Sequence, residues 1–470
     1  MFFNSFEFIW LFPLIWVFYH VAQKTKWENA CLLLISYGLY LKWKPIYVLV
    51  MLWVTVVTFL MALFLERTSK PDGNKRVFIA GVILTLAPLV VFKYYDFFNV
   101  QLSIFLQSMG IMTGLSGLNW ALPLGLSFYT FQAIGYLSDV YHKRIGAERN
   151  WWHYMLFVSF FPQIASGPIS RAKDLLPQIK AERVFCYPQA VQGLKWLLWG
   201  MFMKVVMADR VGIYVDTIFN NYKYQSGLSC WLGSFLYAFQ IYGDFAGYSF
   251  MAIGVGQLLG FELINNFQRP YLSQSVTEFW HRWHISLSTW LRDYVYIPLG
   301  GSRCSKLRSY WNIFLTFLVS GVWHGANWTF IVWGVIHGMF QIVEKMFGLN
   351  KIKSKGCGRV IRVVITFFIV NVAWVFFRMP TLSQAYEVIH MMLSNHQVTL
   401  ATITPAMMLF IIVSICVVVL KDLTDEFLPQ CYTLFHHKYT LVRWTVYVVL
   451  MCMILTCGIF DNSQFIYVSF

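Results

Sequence analysis

Apolar runs approaching the roughly 20 residues that cross a hydrocarbon core recur from one end of the chain to the other. They include Phe6 to Val21, Pro45 to Phe64, Val77 to Val91, Tyr187 to Val211, Cys230 to Leu263, Val363 to Phe377, Met407 to Leu420 and Val442 to Ile459. Counted by span length, the pattern predicts roughly eleven or twelve transmembrane helices. The expected fold class is all-α: one polytopic membrane bundle over residues 1–470, with re-entrant segments where the apolar pattern breaks. Asp96 to Asn119 is too polar and Gly-bearing for a span and reads as interfacial. Leu122 to Tyr141 keeps a helical apolar pattern, but Ser127, Tyr129, Thr130, Gln132 and Ser138 interrupt it, so this helix should face a bundle interior and not lipid. Phe157 to Ile179 is broken by Pro162, Gly167 and Pro168, and backbone of that kind at membrane depth must be buried in protein or line a cavity. Gly243, Gly247, Gly254, Gly256 and Gly260 are spaced for close helix approach.

Composition agrees with the pattern. Of 470 residues 58% are hydrophobic and 12% charged, about half the roughly 25% charged of a soluble domain. The net charge of +15 sits in short loops between spans, where orientation and anionic lipid explain it and nucleic acid does not. The first apolar run lacks a basic flank and a small-residue cleavage site, so it reads as a span and not a signal peptide. Nine cysteines lie without metal-ligand spacing; Cys31, Cys416, Cys452 and Cys457 fall inside apolar runs and are expected to be small buried hydrophobes, with no metal and no disulfide framework. Walker A, dinucleotide-binding and HExxH patterns are missing, so nucleotide hydrolysis and zinc-protease chemistry have no support.

One stretch departs from this greasy background. Thr277 to Trp328 packs His281, Arg282, His284, Arg292 and Asp293 among aromatic residues, then places His324 between Trp323 and Gly325 inside an apolar segment. An ionisable residue at membrane depth is costly and marks a functional site by default. Asp244 is a second such residue, within the glycine-rich span.

EFWHRWHISLSTWLRDYVYIPLGG, SGVWHGANWTFIVWGVIHG, FPQIASGPISR and DFAGYSFMAIG together resemble the membrane-bound O-acyltransferase family, in its branch of bacterial alginate and peptidoglycan O-acetyltransferases and the D-alanyl transfer protein. The resemblance covers residues 122–343 best. It implies a funnel or tunnel through the membrane with a histidine near its narrow point, and transfer of an acyl group, most often acetyl, from a cytoplasmic thioester to an acceptor reached from the outer side. The donor would be acetyl-CoA or an acyl carrier protein. Membrane lipid and an extracytoplasmic SGNH-type acyltransferase are the implied partners, and the cytoplasmic (inner) membrane the implied location. The catalytic histidines fall on His324 and His284, with Trp323, Asn327, Trp328, Arg282, Arg292, Asp293 and Asp244 around the substrate path. Phe250 stands where relatives usually carry an acid, and His281 where they often have Arg or Asn.

The chemistry fits those residue types without the family. Acyl transfer to a hydroxyl needs a base, and neutral imidazole suits that role near pH 7. A dry slot, walled by Trp323, Trp328, Gly325 and Ala326, would keep water from the thioester. His20, His281 and His337 read as structural, and Arg282, Arg292 and Asp293 as one buried ion-pair network. Two rival classes share parts of this pattern. A transporter or channel also uses broken helices and midplane polar residues, and a scaffold subunit would leave the chemistry to its partner. D-alanyl transfer to teichoic acid is the alternative within the acyltransferase class.

The last residues, DNSQFIYVSF, interleave Tyr467 with apolar side chains just beyond the final span. Tyr467 reads either as an interfacial anchor or as an acyl relay, since phenoxide leaves more readily than an alkoxide. Orientation follows from charge. Residues 351–362 are basic, 380–406 carry no Lys or Arg, and 421–443 regain them, which places the C-terminus outside. A reporter fused after Phe470 is therefore expected to be active as alkaline phosphatase and inactive as a cytoplasmic marker, and the reverse activity would show a miscounted span.

Overall fold

The computed structural model describes residues 3–23, 25–67, 71–111, 116–164 and 166–460, with the backbone alone for Trp43, Pro71 and Asp72. Tyr467 lies outside the described residues. Among those described, all regular structure is helical. Five helices are long and apolar enough to cross a membrane: Tyr47–Arg67, Gly73–Ser108, Gly356–Arg378, Pro405–Phe427 and Thr440–Cys457. The other helices are shorter or less apolar, because many of their turns carry the polar groups described below. One expected boundary is corrected. Pro71–Leu89 does not end before Asp96 but continues through a π turn, Val90–Tyr94, into Tyr95–Ser108. Asp96 instead ties down the following loop, accepting from the backbone N–H of Leu118 and Asn119 at 2.7 and 3.0 Å.

The chain forms two compact units. The first holds residues 7–190 and 256–264. Its central helix, Leu126–Tyr141, is buried at every position from Leu126 to Val140, as its polar interruptions require. Gln132 donates to the carbonyl of Phe157 at 2.8 Å and accepts from Gln163 at 3.0 Å, so one amide hydrogen bond spans the break at Phe160. Thr58 and Tyr154 share a hydroxyl contact of 2.6 Å. Arg183, buried, meets Glu28 at 2.7 Å, and Glu28 also accepts from Tyr19. Hydrocarbon offers no water to these groups, and these pairs answer one polar side chain with another.

The second unit holds residues 3–6, 191–255 and 265–470. Gly247 lets two helices touch at backbone distance: a Cβ there would lie 2.8 Å from the carbonyl oxygen of Gly200. Beside this contact a π turn, Phe202–Ala208, carries Lys204. Its ammonium is 1% exposed and pairs with Asp209 at 2.7 Å and Asp244 at 2.5 Å. Asp244 thus belongs to a buried ion triad. Phe250 stacks on Trp196, with ring centroids 4.9 Å apart, so aromatic packing occupies the position where an acid was expected. All nine cysteines are free, as expected; Cys31 and Cys457 are buried, but Cys416 and Cys452 face outward from their helices, where an apolar thiol meets lipid instead of core.

Removing the cation of a buried triad strands two carboxylates, a loss of about 3–5 kcal/mol. Lys204→Met, which keeps the side-chain length, should lower the melting temperature in detergent markedly, and adding Asp209→Asn and Asp244→Asn should restore part of it. A Lys204→Met protein that melts like the native one would show that the triad does not stabilise the fold.

Candidate active site

His324 is the last residue of the helix Lys306–His324. A short link follows, and Asn327 then caps the helix Trp328–Met346 by accepting from the N–H of Thr329 at 3.1 Å. The two helices approach at glycines: a Cβ on Gly321 would fall 2.4 Å from the carbonyl oxygen of Phe330, and one on Gly334 2.4 Å from that of Phe317. That contact sets His324 against the second helix. The imidazole is 4% exposed and sits edge-on to three rings, Trp323 and Trp333 at 4.8 Å and Phe377 at 5.3 Å.

His284 arrives from another part of the chain. It is fully buried and lies in the left-handed region, φ 44°, between the short helices Val276–Arg282 and Ile285–Leu291. Only a few per cent of non-glycine residues adopt this conformation, and such strain collects at functional sites. Asn266 holds the turn. Its backbone carbonyl accepts from Ile285 N–H at 3.0 Å, and its Oδ1 accepts from Ser286 N–H at 3.0 Å. A backbone N–H only donates, so the amide atom it meets is the oxygen. That same oxygen lies 3.3 Å from His284 Nδ1, which assigns the proton to Nδ1 and leaves the lone pair on Nε2. The ring of Trp323 stands between the two histidines, 4.8 Å from His324 and 5.9 Å from His284, and Phe245 closes on His284 at 4.6 Å.

A cavity of about 470 Å³ opens in the same unit. Its wall runs from the exposed His281 and Arg292 to the buried Trp280, Thr316 and Ser320, and includes Lys345. Ser320 precedes His324 by four residues on one helix, hence on the same face. Trp280 is fixed by its indole N–H, which donates to Nδ1 of the buried His337 at 3.2 Å. His337 is therefore a positioning group, as expected of a structural histidine. His281, also expected to be structural, lies on the cavity wall.

The charged residues separate into two sets, where one network was expected. Arg282 pairs with Glu278 at 2.7 Å and with Glu426 at 3.0 Å, and Glu426 also receives Arg269 at 2.8 Å and Arg359 at 2.6 Å. Arg292 has no part in this cluster. It bonds the neighbouring Asp293 at 2.8 Å, its side chain is 59% exposed, and it faces the cavity. Asn327 and Trp328 do not line the site either: Asn327 is a cap that also donates to Pro380 O at 2.6 Å, and Trp328, the first residue of its helix, is half exposed. Trp333 and Phe377 wall His324 in place of Trp328. Asn266, Phe245, Trp280 and Ser320 complete the surroundings. Trp280, Ser320 and Phe245 stand inside motifs that the sequence singles out, whereas Asn266 carries no such signal and meets His284 through the fold.

Comparison with known proteins gives this geometry a context. Residues 1–379 match the model of MBOAT, the membrane-bound O-acyltransferase family. A protein of Pseudomonas aeruginosa named probable alginate O-acetylase AlgI is 38% identical over 395 residues, 84% of this chain and 75% of the relative. The peptidoglycan O-acetyltransferase of Helicobacter pylori is 35% identical over 407 residues, 81% of this chain and 76% of the relative. The teichoic acid D-alanyltransferase of Streptococcus thermophilus is 29% identical over 308 residues, 62% and 70% of the two chains. By a family match over most of its length, and with relatives of this identity and coverage, the chain belongs to the membrane-bound O-acyltransferase family and is a multi-pass membrane O-acyltransferase.

Proposed function

We propose that this acyltransferase passes an acetyl group from a cytoplasmic thioester to a hydroxyl of a cell-envelope or exported polysaccharide, from the bacterial inner membrane. The observation that carries the reading is the pair of buried histidines that both pack on Trp323, with a cavity bearing cations at its exposed end reaching Ser320, one helical turn before His324. The donor enters that cavity. Arg292 and Lys345 suit the phosphate of a phosphopantetheine arm, whether it belongs to CoA or to an acyl carrier protein. The basic segment 351–362 follows Asn350 of the cavity wall, in keeping with a cytoplasmic entrance.

His324 takes the proton of the acceptor hydroxyl as its oxygen bonds to the thioester carbonyl carbon. The carbon–sulfur bond then breaks, and the thiolate leaves with the proton returned by the imidazolium. His284, whose ring orientation Asn266 fixes, is the second imidazole of the site and positions the acceptor beside His324. The aromatic walls keep water from competing for the thioester. The names of the alginate and peptidoglycan relatives support acetyl as the group moved, whereas the more distant D-alanyltransferase is the reason to keep alanyl as the second candidate. The first acceptor hydroxyl is the phenol of Tyr467, which carries the acetyl group as an ester; an SGNH-type enzyme on the outer side then moves the acetyl group to a polymer hydroxyl, whose proton returns to the phenol oxygen.

His324→Ala should lower transfer by about 10²- to 10⁴-fold, the usual loss with a general base, while insertion and expression stay near native. His284→Ala should be severe and His281→Ala mild, measured as acetyl transfer in reconstituted vesicles; equal losses at 281 and 284 would break the assignment of roles. Tyr467→Phe keeps the ring and deletes the oxygen that would carry the acyl group. Polysaccharide acetylation at background level is expected from it, and unchanged acetylation would leave Tyr467 an anchor.

A further inference from the structure

The hydroxyls on the cavity wall are almost all committed to the protein. Thr277 Oγ1 donates to Glu344 at 2.7 Å, Ser288 to the carbonyl of Trp283 at 3.3 Å, Thr289 to that of Ile285 at 2.8 Å and Thr316 to that of Asn312 at 2.7 Å. Tyr296 OH stands 3.4 Å from Lys345 Nζ. Ser320 is the exception among the described residues of that wall. Its Oγ is buried and makes no hydrogen bond, although the residue is only 1% exposed. A helical Ser or Thr commonly bonds back to the carbonyl four residues earlier, as Thr316 does one turn before on the same helix. Ser320 forgoes that bond, at a site where an unmade hydrogen bond is costly. It also sits one turn, about 5.4 Å along the axis, before His324.

We infer that Ser320 is a substrate-contacting residue whose hydroxyl donates to the carbonyl oxygen of the acyl thioester, fixing the depth at which the acyl carbon stops beside His324. The inference rests on the acyl-transfer reading and deepens it. Ser320 keeps its proton throughout. The hydrogen bond shortens as the carbonyl oxygen gains charge in the tetrahedral intermediate, the moment at which a fixed donor in a dry site contributes most. None of the other serine and threonine hydroxyls described on that wall can supply it without giving up its present partner. The ligand class is the pantetheine thioester, common to CoA and carrier-protein donors.

Two unreactive analogues of acetyl-pantetheine separate this contact from general packing. One replaces the sulfur by CH₂ and keeps the carbonyl; the other is the S-ethyl thioether, which lacks it. Both are tested as competitors of acetyl transfer by the reconstituted full chain. The native protein should prefer the ketone about tenfold, and Ser320→Ala should bind both alike, while its kcat/KM for acetyl transfer falls about 10- to 100-fold. Ser320→Cys, a weak donor of similar size, should fall between. The substitution to alanine removes one buried oxygen, and unchanged monodispersity and melting temperature check the fold. A ketone preference that survives in Ser320→Ala, or a kcat/KM within a few-fold of native, overturns the inference and leaves the acyl-transfer reading standing. Failure of both analogues to compete with the native protein overturns the thioester reading of the cavity and this inference with it.

Discussion

A polar group inside a membrane has no water to turn to, and the interior of this protein is arranged around that constraint. Where charge is buried, it is answered by opposite charge from a distant part of the chain. Glu426 gathers Arg269, Arg282 and Arg359 onto one carboxylate, tying a loop and two helices to the helix Pro405–Phe427. Lys204 holds two aspartates in the same way. Such clusters are weak sources of net stability, because desolvation offsets most of the Coulomb gain. Their effect is on specificity: any register that separates the partners strands a charge in hydrocarbon.

This constraint frees the site for chemistry. The arginine of the RWH motif is committed to Glu278 and Glu426, and aromatic rings pack against both histidines. Imidazole among aromatic edges and faces is held in orientation by packing. The cations that do face the cavity, Arg292 and Lys345, come from the π turn after Ile285–Leu291 and from the helix Trp328–Met346. The cations of the cavity wall and the two buried imidazoles thus sit on different elements.

Legibility in the sequence followed the range of the interaction. The helical class, the buried polar helix Leu126–Tyr141 and the break after Ser159 could all be read, because local polarity decides them. His324 and His284 were readable because a polar residue at membrane depth stands out against its neighbours. Glu426 was not, since 144 residues separate it from Arg282 and nothing near either announces the other. Asn266 was hidden for the same reason, and Ser320, though inside a motif, resembles any helical serine until its missing bond is seen. At Trp328 the Asn327 cap starts a new helix, whose first side chain is half exposed. The π turn at Val90–Tyr94 hid the continuity of a long helix whose polar second half looked like a surface segment.

The Trp323 indole shows why both motifs are needed for one site. His324 is placed by regular structure, at the end of a helix whose partner is held at glycine contact. His284 is placed by irregular structure, a left-handed turn pinned by Asn266. A helix end and a strained turn share no geometry of their own and have only the packing between them to keep register. Trp323 supplies that packing, with its ring in edge contact with both imidazoles. A smaller side chain there would leave each histidine locally well placed but would loosen the distance from one to the other, and acyl transfer between oriented groups is lost steeply with displacements of about 1 Å. The tryptophan of the WHG motif is on this argument a spacer between two buried histidines more than a wall of the slot.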